Sequence, residues 1–183
     1  MKKILDLGCG RNKYKTNEAA IVVGLDKYPF EGVDIVHDLE KTPLPFNDNE
    51  FDEIIASHIL EHIQNFIPLM EELHRILKPS GILHIYVPHA SDLGAFGHID
   101  HKRFFTIRTF SHFTENNPEN QYSKARFKIL KVKLNFIART STSNKFLNFV
   151  FNPILNFNHR FYEKFLFKLI PAGEIYVQMQ PIK

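Results

Sequence analysis

The chain has 183 residues, one cysteine, 18 phenylalanines and a formal net charge of +3. That length predicts one domain with a sizeable core, and the lone Cys9 excludes an internal disulfide. No apolar run reaches the roughly 20 residues of a spanning helix, and Met1-Lys2-Lys3 leads straight into a predicted strand with no room for a leader, so the expectation is a soluble, cytoplasmic protein. Charge is unevenly spread: residues 1–100 carry 9 Lys/Arg against 16 Asp/Glu, and residues 101–183 carry 14 against 4. Of the 18 phenylalanines, 14 lie between Phe96 and Phe167. This skew reads first as a solvated basic face over a Phe-rich core, and second as a surface for an anionic partner or a membrane.

In chain order, the first half alternates strand and helix signals, the pattern of a parallel sheet covered by helices. Strands are predicted at 4–7, 21–25, 33–36 and 51–57. A helical pattern starts at His58, is broken or restarted at Pro68, and runs through Leu69, Leu73, Ile76 and Leu77 to Lys78-Pro79-Ser80-Gly81. A fifth strand follows at 82–87, closed by Pro88. Residues 89–125 read as a long insertion, 127–138 as a long strand, 144–170 as a Phe-rich segment of mixed helical period interrupted by Pro153, and 174–180 as the final strand. Only ten residues, 11–20, separate the first strand's turn from the second strand, so the first crossover helix is expected to shrink to a turn or two.

The chemistry is concentrated at strand ends. Asp6, Gly8, Gly10, Asp26 and Asp38 all fall at the carboxyl ends of predicted parallel strands, the edge where ligands bind in such sheets. Two glycines two apart let backbone approach a ligand closely. A dinucleotide site wants a third glycine at position 13 and a full helix whose N-terminus meets a pyrophosphate. Here position 13 is Lys13, the helix is short, and Asp6 adds negative charge. The pattern suits a nucleoside without phosphates, and a cationic one best.

These residues carry a resemblance. Asp6-Leu7-Gly8-Cys9-Gly10 resembles motif I of the class I S-adenosylmethionine-dependent methyltransferases, and Gly24-Leu25-Asp26 resembles their following acid. His37-Asp38-Leu39-Glu40, Leu44-Pro45-Phe46, Phe51 to Ile55, Leu60-Glu61-His62-Ile63 and Leu73 to Gly81 are similar to the type 11, ubiquinone/menaquinone-biosynthesis-like methyltransferases. The match covers residues 4–89; Ser80 stands where that family usually has glycine, and the C-terminal half matches loosely.

The resemblance implies a Rossmann-like, doubly wound α/β fold. Its seven-stranded sheet would be mostly parallel with an antiparallel last strand. Residues 1–89 would bind the cofactor, and 90–170 would cover the substrate. It implies S-adenosyl-L-methionine as cofactor. Gly8, Cys9 and Gly10 would lie under its methionine part, with Asp6 near the amino group. Asp26, beside Lys27, would take the ribose hydroxyls. Asp38 would meet the adenine amino group, and Leu39 would pack on the ring. Ser57 and His58 would line the channel where methyl donor meets acceptor. The reaction is expected to place a methyl group on oxygen or nitrogen of a small molecule, mostly by alignment. A general base, if used, is sought among His58, His89, His98 and His101; the segment His98-Ile99-Asp100-His101-Lys102-Arg103-Phe104-Phe105-Thr106 looks like an H-x-R-x-F-T-like stretch seen in some of these enzymes.

Competing readings are weaker. His58-Ile59-Leu60-Glu61-His62 matches the H-x-x-E-H zinc-peptidase pattern, but it falls where the methyltransferase pattern supplies its own Leu-Glu-His, and no metal is expected. A non-catalytic binding subunit would use the Phe-rich segment, with Phe146, Phe149, Val150, Phe157, Phe161 and Phe165 as an apolar stripe beside Lys145, Arg160, Lys164 and Lys168, against a partner or a lipid face. A helical cap over the substrate site is the preferred reading of that segment. Nucleic acid is disfavoured, because no recognisable module is present and Ser57-His58-Ile59-Leu60 stands where a base-methylation motif would follow strand four. A homodimer stays open.

Overall fold

The structure is a computed structural model that describes residues 1–143 and 146–183. Seven strands form one sheet: β1 (Lys2–Leu7), β2 (Ala20–Asp26), β3 (Ile35–Val36), β4 (Phe51–Ser57), β5 (Leu77–Val87), β6 (Phe127–Asn135) and β7 (Glu174–Pro181). Their spatial order is β3-β2-β1-β4-β5-β7-β6. The pairs from β3 to β5 are parallel, and β7 inserts antiparallel between β5 and β6. The chain reverses direction across the sheet at β1, between β2 and β4, and that switch point sets where a crevice forms. Ile4, Leu5 and Leu7 are all buried, as expected of a central parallel strand covered on both faces.

Helix α1 (Phe66–Ile76) buries Phe66, Leu69, Met70, Leu73 and Ile76, a 3.6-residue stripe packed into the core. The helical period reaches Leu77 in the sequence, yet α1 stops at Ile76. Leu77 instead pairs with Phe51 as the first residue of β5, ahead of a register shift, so the strand starts five residues before the expected position 82. Pro68 sits in the first turn of α1, where its missing N–H costs nothing. No helix joins β1 to β2: residues 11–19 are turns and bends rather than the expected short helix, and β3 is two residues rather than four.

Two short helices, α2 (Leu93–Gly97) and α3 (Ile107–Ser111), lie in the insertion after β5. Helix α4 (Phe146–Phe157) runs through Pro153 unbroken. It lies along the outer edge of β6, held by asparagines one turn apart. Asn148 accepts from the Ile137 N–H at 2.7 Å and donates to its carbonyl at 3.0 Å; Asn152 accepts from the Phe136 N–H at 2.8 Å; Asn156 accepts from the Leu134 N–H and donates to its carbonyl, both at 2.8 Å. The ladder satisfies an edge strand that would otherwise offer unpaired backbone groups. Residues 146–157 therefore pack along β6, and the expected helical cap is not formed by them. Lys145, read beside the Phe stripe, lies outside the described residues. No helix among the described residues is long and apolar enough to cross a membrane.

Candidate functional site

Strand β1 ends in a turn at Gly8 (φ +69°) and Gly10 (φ +55°), left-handed values that a side chain resists. The Gly8 and Cys9 amides both donate to the Leu25 carbonyl, at 2.8 and 3.1 Å, and the Gly10 amide donates to Asp26 Oδ2 at 2.9 Å. The glycine turn is thus strapped to the end of β2. A Cβ on Gly8 would stand 2.5 Å from Ile59 Cγ1, while one on Gly10 would meet open space. Cys9 is buried; burial, with Asp6 and Asp26 nearby, pushes its thiol up to about 11, so it is not a nucleophile here.

The other carboxylate of the pattern follows from β3. The His37 amide donates to the Asp26 carbonyl at 2.9 Å, bringing Asp38 alongside Asp26. Asp26 Oδ1 accepts from the Tyr28 N–H at 3.0 Å, Asp38 Oδ1 from the Glu40 N–H at 3.1 Å, and Lys27 Nζ lies 4.9 Å from the Tyr28 ring centre. Asp26, Asp38 and Leu39 line one cleft of about 350 Å³ with Gly8, Ile59 and Ile63. Four carboxylates face two ammonium groups there, and Lys102 is already paired with Glu40 at 2.8 Å. Lys13, at the position of the absent third glycine, is tied to Asp34 at 2.9 Å. A phosphate would meet net negative charge. A ribose hydroxyl pair and an aromatic base would meet acceptors and apolar walls, so the donor set fits an adenosyl group.

A second cleft of about 330 Å³ includes Asp6, Tyr14, Ser57 and Arg139. Asp6 is buried and accepts the Tyr14 N–H at 2.6 Å; burial raises its pKa, and the Tyr14 amide and Lys13 hold it back in part. Above Ser57 the chain breaks sharply at His58 (φ +52°). The His58 Nε2 bonds Glu174 Oε1 at 2.9 Å, and its Nδ1 lies 3.4 Å from Glu61 Oε1. Burial pushes the His58 pKa down, but Glu174 and Glu61 outweigh it and bring it up to about 9. A histidine clamped by two carboxylates has no lone pair to offer as a base at neutral pH. Glu174 is fully buried, and its second oxygen accepts from Asn135 Nδ2 at 2.9 Å. Arg139 donates to Ser57 Oγ at 2.7 Å, lies 3.9 Å from Glu174 and stacks 3.4 Å from the Tyr86 ring centre. Sequence reasoning missed Arg139, Glu174 and Tyr14 as site residues. The one available signal was Glu174, the only charged residue of its strand.

The remaining histidines divide. His89 is 2% exposed. Its Nδ1 meets Ser91 Oγ at 2.8 Å, and its Nε2 lies 3.4 Å from Glu163, so it pins the insertion from inside and faces neither cleft. His98 and His101 stack on each other beside His62, next to Asp100 on the wall of the first cleft. The H-x-x-E-H segment is not one helix. After the break at His58 only Leu60–His62 forms a 3₁₀ turn, so His58 turns to Glu174 while His62 turns to Asp100. The two histidines share no helix face, which removes the peptidase reading.

Residues 5–85 match the family model described as a methyltransferase domain. A curated relative, demethylmenaquinone methyltransferase of Staphylococcus epidermidis, is 32% identical over 68 residues, covering 37% of this chain and 28% of that protein. The chain thus matches under a third of that relative's length. Among solved structures, a SAM-dependent methyltransferase from Archaeoglobus fulgidus superimposes with TM-score 0.63 at 17% identity, covering 98% of this chain and 86% of that one. The [4+2]-cyclase SpnF superimposes with TM-score 0.59 at 17% identity, covering 98% and 75%. Such likenesses show the fold, and one fold hosts several chemistries. S-adenosylmethionine is the cofactor that the family and its fold imply. Residues 5–85 are thus similar to the methyltransferase-domain family, and the chain as a whole carries the Rossmann-like α/β fold of its solved methyltransferase neighbours.

Proposed function

We propose that this chain is an S-adenosylmethionine-dependent methyltransferase acting on an oxygen or nitrogen of a small molecule. The observation that carries this reading is the pairing of Asp26 and Asp38 across an apolar, phosphate-averse cleft at the switch point of the sheet. Asp26 would hold the ribose hydroxyls and Asp38 the base amine, with Leu39 against the ring. Asp6 and the turn at Gly8–Gly10 would receive the amino-acid end. When bound, the cofactor supplies a methyl group already activated by its sulfonium. What the chain adds is placement: the second cleft is lined by Asp6 and Ser57, each two residues along the chain from Gly8 and Ile59 of the first, and its size suits a small acceptor. Arg139, stacked on Tyr86 and bonded to Ser57, offers a fixed guanidinium for orienting an acceptor that bears an oxyanion or carboxylate. Titration with S-adenosylhomocysteine, followed by a metabolite screen for mass gain of one methyl group, tests the reading. Absence of binding at millimolar cofactor would overturn it.

A second reading, binding at a lipid surface without turnover, draws on one observation. Phe149 and Phe157 are 79% and 89% exposed, and Phe146, Phe161, Phe165 and Leu169 are also exposed. Arg160, Lys164 and Lys168 share this segment, so an anionic membrane is the matching partner. Flotation with anionic and with neutral vesicles tests it. Turnover of a water-soluble acceptor without vesicles would favour the first reading.

A further inference from the structure

The loop at 98–103 is built against the turn Leu60–His62. The Lys102 and Arg103 amides donate to the Glu61 carbonyl at 2.8 and 3.2 Å, and Arg103 Nε donates to the Ile63 carbonyl at 2.9 Å. This docking gathers three imidazoles and two carboxylates in one place. His101 lies edge-on to His62 with ring centres 4.9 Å apart and stacks on His98 at 4.7 Å. Asp100 pairs with His98 and has Oδ2 3.0 Å from His62 Nδ1.

Two buried atoms in this cluster have no hydrogen-bond partner among the described residues: Glu61 Oε2 and His62 Nδ1. Glu61 is 1% exposed, and an unpaired carboxylate oxygen at that depth is expensive. Asp100 is near His62 Nδ1 without the alignment of a hydrogen bond. His101 is already set as a ligand. Its Nδ1 bonds the Ala95 carbonyl at 2.8 Å; a carbonyl only accepts, so Nδ1 carries the proton and Nε2 presents its lone pair. A backbone carbonyl on the far nitrogen is the usual way a metal-binding histidine is oriented.

We infer that Glu61, His62 and His101 bind a first-row divalent metal ion of the zinc(II) class, with Asp100 and His98 at the exposed rim. One ligand atom from each of the first three lies within 4.8 Å of the other two. A tetrahedral ion with bonds of about 2.1 Å needs its ligand atoms about 3.4 Å apart, a closure that small side-chain rotations supply. Two imidazoles and a carboxylate suit borderline ions over magnesium or calcium, and the absence of a thiolate from the set disfavours copper(I). The ion would cross-link the 98–101 loop to the wall of the first cleft, which His62 and Asp100 both line. The site differs from the H-x-x-E-H pattern: His58 is not a ligand, and Glu61 is a ligand rather than a base.

The test uses the full chain without an affinity tag, stripped by a chelator and titrated with zinc(II) against a chromophoric competitor. The expected result is roughly one equivalent bound at micromolar zinc, with a raised melting temperature. Glu61→Gln and His101→Ala should each weaken binding by more than the roughly 10–100-fold that outer-sphere changes cost. Asp100→Asn and His98→Ala, at exposed positions that leave the fold intact, should weaken it by about tenfold. His37→Ala, outside the cluster, should leave it unchanged. Binding well below one equivalent, or equal affinity in the parent and all four cluster variants, would overturn the inference. S-adenosylhomocysteine titration of the same samples separates this outcome from failure of the proposed function, because zinc binding does not depend on the cofactor reading.

Discussion

Replacing Asp26 by alanine tests the proposed cofactor cleft at its centre. In the free protein its two oxygens accept the Gly10 and Tyr28 amides, at 2.9 and 3.0 Å, and a carboxylate oxygen keeps further acceptor capacity beyond one such bond on this cleft-lining residue. Hydrogen bonds to a charged group contribute about 1.5–3 kcal/mol each, so two ribose hydroxyls would gain about 3 kcal/mol after discounting for partial exposure. Loss of that amount weakens S-adenosylhomocysteine binding about 150-fold. Asp26→Asn keeps one carbonyl acceptor and should lose about half of that free energy, or roughly tenfold. Isothermal titration calorimetry gives both constants, and circular dichroism checks that the glycine turn still folds. If well-folded Asp26→Ala binds within about threefold of the parent, the carboxylate only ties β1 to β2, and the ribose assignment fails.

Gly8→Ala should destabilise the chain by about 2–4 kcal/mol, combining left-handed backbone strain with a Cβ placed 2.5 Å from Ile59; a urea midpoint equal to the parent's would contradict this. Asn148→Ala and Asn156→Ala each remove two bonds to the β6 edge and its extension, and should each cost about 1–2 kcal/mol after the gain in helix propensity, read by urea denaturation. A pH dependence comes from His74 and His84, whose pKa values burial holds below the ordinary 6.5. The unfolded chain takes up these protons first, so stability is full above about 6.5 and falls as pH drops through the folded-state values. His74→Gln should flatten the melting-temperature profile between about pH 7 and 5, and an unchanged profile would show that His74 does not contribute.

Local chemistry made much of this protein legible. Phe51–Ser57 reads as a strand from its own residues and is one, with the bounds expected. The glycine turn and the acids Asp26 and Asp38 lie within 33 residues of one another, on three strands whose connections are short, so their convergence follows from parallel pairing. Periodicity failed at boundaries. Leu77 continues the apolar stripe of α1 yet belongs to β5, because pairing with Phe51 competes for it and wins. His58 continues a helical pattern yet adopts φ +52°, held by carboxylates on other segments. The spacing of Asn148, Asn152 and Asn156 marks one helix face, but nothing local says that this face meets a strand edge.

The amino-acid sequence by itself determined the parallel strands, the turn and the phosphate-averse character of the first cleft, because these rest on neighbours along the chain. Only the tertiary structure decided the rest. Glu174 reaches His58 across 116 residues through the antiparallel insertion of β7, and Arg139 reaches Ser57 across 82. His101 reaches His62 because two backbone amides dock on the Glu61 carbonyl. Such contacts depend on register and loop docking, which no local pattern of side chains encodes.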